Sequence, residues 1–116
     1  MSKKKKKLNY PRKATVAGWS LTWQGKTYAD ADLTGQHLAA LALISGDDRF
    51  EQLAVTPQEL SVYPALGYMR LMNLLGAFVT VDVANEYDGD EAEVASALEE
   101  IQKASADDIL GSVTFR

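Results

Sequence analysis

From about Ala65 the chain carries an apolar run that leaves a helix almost no polar face. Leu66, Met69, Met72, Leu74, Leu75, Phe78 and Val79 cover most of a helix circumference at 3.6 residues per turn, with Arg70 and Asn73 as the polar exceptions. A helix apolar on nearly all sides has to be enclosed, by its own fold or by a partner. The rest of the chain is therefore expected to wrap around it. Pro64 disfavours helical geometry at Tyr63, so whatever precedes must end there. What precedes is Thr56-Pro57-Gln58-Glu59, with Thr56 suited to the N-cap, Pro57 to the first helical position and Glu59 to the reciprocal place of a capping box. This predicts a short helix that breaks at Tyr63 before the long apolar one begins.

The flanking segments carry their own punctuation. Ser20 to Tyr28 alternates, with Leu21 and Trp23 on one face, and Gln24-Gly25 supplies a two-residue turn with glycine for positive φ. Two strands alone are marginal in water, so this hairpin needs something to pack on. Thr34 or Asp32 caps a helix whose apolar face holds Leu38, Leu41 and Ala42, broadened by Leu43 and Ile44, and Gly46 stands at the left-handed C-terminal position. Asp47-Asp48 opens a short turn carrying Phe50 and Leu53. Asn85 to Glu91 reads as a polar loop, and Asp90 caps a helix over 91–103 with Val94, Leu98 and Ile101 on one stripe. Glu91 and Glu93 lie in its first turn and Lys103 in its last, as the helix dipole prefers. Ser105 caps a further brief turn, and Ser112 to Arg116 is β-favouring. The expected fold class is α+β: an N-terminal β-hairpin packed on a small, mainly helical bundle of three to five helices. With 116 residues, one domain over 14–116 is expected behind an arm over 1–13.

That arm dominates the charge layout. Lys3, Lys4, Lys5, Lys6, Lys7, Arg12 and Lys13 give +7 with no acid, whereas the other residues set five basic side chains against all sixteen acids, or −11. A charge run without apolar periodicity predicts a disordered arm. The acidic body repels nucleic acid and attracts cationic surfaces, including the chain's own arm. The arm itself suits a solubilising tail, a clamp on an acidic partner or a nucleic-acid contact, but bare lysines read no sequence. Cysteine is absent, which excludes disulfides, thiolate metal sites and a cysteine nucleophile. No apolar run reaches the roughly 20 residues of a membrane span. The stretch 71–83 is interrupted by Asn73, Gly76, Thr80 and Asp82, and no apolar stretch follows the lysines to form a secretory signal.

His37, the sole histidine, lacks the orienting partner of a general base and the companion ligands of a zinc site, so a structural or surface role is expected. The acids Asp82, Glu86, Asp88, Asp90, Glu91 and Glu93 fail as a calcium loop. A register from Asp82 puts Ala84 at position 3 and Tyr87 at position 6, and a register from Asp88 puts Ala92 at position 5. Trp19, Trp23 and Tyr28 suit either base stacking beside the arm or, on alternating strands, the core. No phosphate loop, dinucleotide fingerprint or nucleophile elbow can be written. No enzyme activity, metal or cofactor is expected.

Leu21-Thr22-Trp23-Gln24-Gly25-Lys26-Thr27-Tyr28 followed by Asp32-Leu33-Thr34-Gly35-Gln36-His37-Leu38, and then by Gly67-Tyr68-Met69-Arg70-Leu71-Met72, resembles small proteins from the tail modules of long-tailed, siphovirus-type bacteriophages, particularly those of actinobacterial hosts. These are tail assembly chaperones, and the resemblance covers residues 20–82. It implies a non-enzymatic protein of the host cytoplasm that binds the helical tape-measure protein, helps to recruit tail-tube subunits, self-associates and leaves before the tail is finished. The over-apolar helix could contribute to a groove for the tape measure, with Leu71, Met72, Leu75 and Phe78 as contacts; the same four could equally be core. The competing readings are a nucleic-acid-binding or regulatory protein using the lysine arm, and a structural head–tail component of a phage.

Overall fold

A computed structural model describes residues 18–49, 53 and 55–115. The basic arm over 1–13, the expected start near Ala14 and Phe50 lie outside the described residues. Strands β1 (Trp19–Trp23) and β2 (Lys26–Ala29) form the hairpin, and a 3-10 turn over Asp30–Asp32 leads into α1 (Gly35–Ser45). Then come α2 (Pro57–Val62), α3 (Pro64–Glu86), α4 (Glu91–Lys103), α5 (Ala106–Leu110) and a third strand, β3 (Val113–Phe115). The class is α+β: an antiparallel sheet on the N-terminal side of a globule with five α-helices among the described residues.

Helix α3 is the axis. Leu71, Leu74, Leu75, Ala77 and Phe78 are all fully buried, and α1, α2, α4 and α5 each pack against it. At 23 residues and a mean hydropathy of 1.2 in its most apolar stretch, it has the length and composition to cross a bilayer, yet here half of that stretch is inside the fold. Its enclosure is what its all-round apolarity demanded. Gly76 lets two neighbours converge on it: a Cβ there would meet Ile44 of α1 and Leu98 of α4, each at 3.3 Å.

The helix ends follow local chemistry. Thr56 Oγ1 accepts from the Glu59 amide at 3.0 Å, Asp90 from Ala92 at 2.9 Å, and Ser105 from Asp108 at 3.1 Å. Tyr63, with φ −129° and ψ 68°, breaks the chain between α2 and α3 ahead of Pro64. Gly46 closes α1 in the left-handed region at φ 72°. The Glu59 side chain departs from its expected capping role. Its carboxylate pairs with Arg70 of α3, because a charged, forked donor outcompetes a backbone amide for it. Helix α3 also runs further than expected. Asn85 and Glu86 complete it, the Tyr87 amide still donates to Val83, and the chain turns only at Asp88 and Gly89, both at positive φ.

The hairpin turns through Gln24 (φ 50°) and Gly25 (φ 83°), the conformation whose twist matches two antiparallel strands. The β-favouring tail supplies a third strand, although sequence patterning did not reveal what it pairs with. β3 returns from the far end of the chain to pair with the other edge of β1, with Trp19 opposite Phe115 and Leu21 opposite Val113, giving the order β2-β1-β3. A hairpin too small to hold alone thus becomes the flank of a three-stranded sheet. Trp19 and Leu21, on the inward face of β1, join the same core as α3.

Candidate functional site

The residues that carry most polar chemistry meet where β2, the first turn of α1 and the C-terminal half of α3 come together. On β2, alternation sends Tyr28 inward and it is 8% exposed. Its ring stacks on Phe78 at 4.7 Å between centroids, and its hydroxyl donates to Asp82 Oδ2 at 2.8 Å. Lys26, two residues earlier, donates to the same oxygen at 2.6 Å and lies 5.7 Å from the Tyr28 ring. Burial chiefly, then the hydrogen bond to Asp82 and the charge on that carboxylate, push the Tyr28 phenol well above its ordinary pKa. Tyr28 is therefore a donor held neutral.

His37 enters the same cluster from α1. Its Nδ1 lies 3.0 Å from the Thr34 amide nitrogen and 2.9 Å from Thr34 Oγ1, occupying the place that Glu or Gln takes in a capping box. A backbone amide only donates, so Nδ1 is the acceptor and the proton of the neutral ring sits on Nε2. The imidazole packs on Phe78 at 4.9 Å. Burial lowers its pKa, against the smaller opposing pull of Asp82 and Asp32. Asp32 does not cap α1; it accepts from the Ala29 amide at 2.8 Å, while the buried Asp30 accepts from Gly18 at 3.1 Å and from Ala31 at 2.9 Å. These two carboxylates pin the link between hairpin and helix.

This constellation joins elements; it does not present a reacting group. A neutral tyrosine, a lysine bound to aspartate and a histidine whose Nδ1 is occupied offer no nucleophile with a base beside it. Among the described residues, no three histidine or acidic side chains are grouped to hold a metal ion. Of the acids weighed as a calcium loop, Asp82 turns to Tyr28 and Lys26, whereas Asp90 caps α4 and Glu91 and Glu93 begin it. Trp19 is buried edge-on to Phe78, and Tyr28 is buried on its face, so neither is a free stacking platform.

Of the two roles left open for the four α3 residues, the packing in this fold is that of the core. Leu71, Leu75 and Phe78 are fully buried and Met72 is half-buried, so all four pack in or against the core. The reason is geometric: α1, α2, α4 and α5, with Trp19 of β1 and Tyr28 of β2, supply enough apolar surface to close around α3. Among the described residues the most exposed large apolar side chains are Leu43 (86% exposed), Tyr63 (60%), Val62 (57%) and Met69 (50%), followed by Tyr87 at the end of α3 and Ile44 on α1. Met69 stands two turns before Gly76, on the stripe of α3 that Ile44 covers, and α1 ends two residues after Leu43. Of these exposed side chains, Val62 and Tyr63 line a shallow concavity of about 270 Å³ together with Thr56, Gln58 and Glu59. Comparison with protein-family models, curated proteins and solved structures finds no match to this chain.

Proposed function

We propose that this chain is a non-enzymatic, protein-binding factor, and specifically a tail assembly chaperone of a long-tailed bacteriophage acting in the host cytoplasm. The observation that supports a binding role is the set of large apolar side chains left in water on α1, the α2–α3 junction and the first half of α3: Leu43, Val62, Tyr63 and Met69. Apolar groups of this size outside a satisfied core suit the apolar stripe of a partner helix. The tape-measure assignment rests on the resemblance over residues 20–82, with the contacts moved from the buried face of α3 to these exposed positions.

The test is co-expression of the full chain with the long helical protein encoded in its own genomic neighbourhood, followed by co-purification. The expected result is a complex that weakens at least tenfold in Leu43→Asp and Met69→Asp, with helical circular dichroism unchanged. The chain is also expected to be absent from finished virions. Presence in virions would favour a structural head–tail component. DNA binding with a steep salt dependence that vanishes on deleting residues 1–13 would favour the nucleic-acid reading.

A further inference from the structure

We infer that His37 is an acid-operated latch: its neutral ring ties the first turn of α1 to Thr34, and its protonation releases that turn from the seam between β2 and α3. The inference is independent of the proposed chaperone role. It begins with hydrogen-bond sense. Nδ1 faces the Thr34 amide at 3.0 Å, and an amide has no acceptor to offer. An imidazolium carries a proton on both nitrogens, so the protonated ring turns a donor toward the Thr34 amide and that bond is lost, leaving the Thr34 hydroxyl at 2.9 Å as the acceptor that Nδ1 can still reach. Position adds to this, because a cation in the first helical turn opposes the positive end of the helix dipole.

The surrounding groups decide where the released ring goes. Asp82 faces it from α3 and Asp32 from the 3-10 turn, and both carboxylates attract an imidazolium. Asp82 is already engaged by Tyr28 and Lys26 of β2, so a charged His37 competes with the bonds that hold the hairpin to α3. Phe78 lies under both the His37 and Tyr28 rings and transmits a displacement of one to the other. Burial keeps the neutral form dominant at neutral pH, since it lowers the histidine below its ordinary 6.5. The sign follows: a depressed histidine contributes stability that is full above 6.5 and is lost as pH falls from there through the folded-state value.

Because His37 is the sole histidine, its ring resonances are unambiguous in the full chain. Nitrogen NMR across pH 5–7.5 is expected to show the Nε2–H tautomer at neutral pH and a midpoint below 6.5. The Thr34 amide should shift, and its exchange accelerate, with the same midpoint. His37→Gln supplies a capping-box acceptor that does not titrate in this range, and in it the Thr34 response should disappear. The inference is overturned by an Nδ1–H tautomer, by a midpoint at or above 6.5, or by a Thr34 response that persists in His37→Gln. If that variant does not fold, the tautomer and midpoint of the unaltered chain decide alone.

Discussion

Asp82 shows how much one side chain can owe to distant residues. In sequence it is an acid interrupting an apolar helix; in the fold a single oxygen accepts from Lys26 and Tyr28, 56 and 54 positions away. Tyr28 is the more consequential partner, because Lys26 is largely solvated and an exposed pair contributes little. Replacing Tyr28 with Phe keeps the ring on Phe78 and removes the donor. The expected cost is about 1 kcal/mol, read from chemical denaturation at neutral pH. The same variant carries a pH signature. A phenol raised in the folded state contributes stability that is present below its ordinary value of 10.0 and lost as pH rises above it. Unaltered protein should therefore lose stability above pH 10 more steeply than Tyr28→Phe. Equal alkaline slopes would mean that Tyr28 is not held neutral. Glu59 tells the same story: its position at the start of α2 suggested a capping role, and the fold instead pairs its carboxylate with Arg70 of α3.

Among the elements, α2 depends most on a close approach. It is six residues long with no buried residue of its own, and it folds back on α3 where Leu60 lies against Gly67. A Cβ at Gly67 would overlap the end of the Leu60 side chain, so Gly67→Ala must push Leu60 aside or lift α2. The gain in helix propensity from Ala, about 1 kcal/mol, is set against overpacking of about 1–3 kcal/mol. Net destabilisation with faster amide exchange confined to 57–62 is the expected result, and a more stable variant would show that the contact yields freely. The caps at Thr56, Asp90 and Ser105, the turn at Gln24-Gly25 and the stop at Gly46 were all legible, because each is satisfied within a few residues of itself. The end of α3 was misplaced because Asn85 and Glu86 are polar, and polarity alone does not terminate a helix whose amides are still paired.

At the scale of the whole molecule, Phe78 is the common contact of three elements: Trp19 of β1 meets it edge-on, Tyr28 of β2 stacks on it, and His37 of α1 tilts against it. Phe78→Ala is expected to cost about 3–5 kcal/mol, the range for a fully buried aromatic. Against a typical stability of about 5–15 kcal/mol that is a large share. Thermal unfolding should show a markedly lower midpoint, together with loss of the environment of Trp19 in near-ultraviolet circular dichroism. A small effect would mean that the sheet and helices are held together elsewhere.

The apolar helix that most constrained the fold did become its axis, and this much the amino-acid order determined by itself, together with the hairpin, the capped helices and the charge separation. Such features arise from periodicity and from hydrogen bonds spanning two to four residues. Which apolar side chains are sealed in was decided only by the tertiary structure. Leu71, Leu75 and Phe78 were enclosed while Leu43, Val62, Tyr63 and Met69 stayed in water, because burial depends on where α1 stops and which elements cross α3. The return of β3 to β1 and the convergence of Lys26, Tyr28, His37 and Asp82 belong to the same class. They join residues far apart in the chain, and loop closure and packing, rather than local propensity, set those contacts.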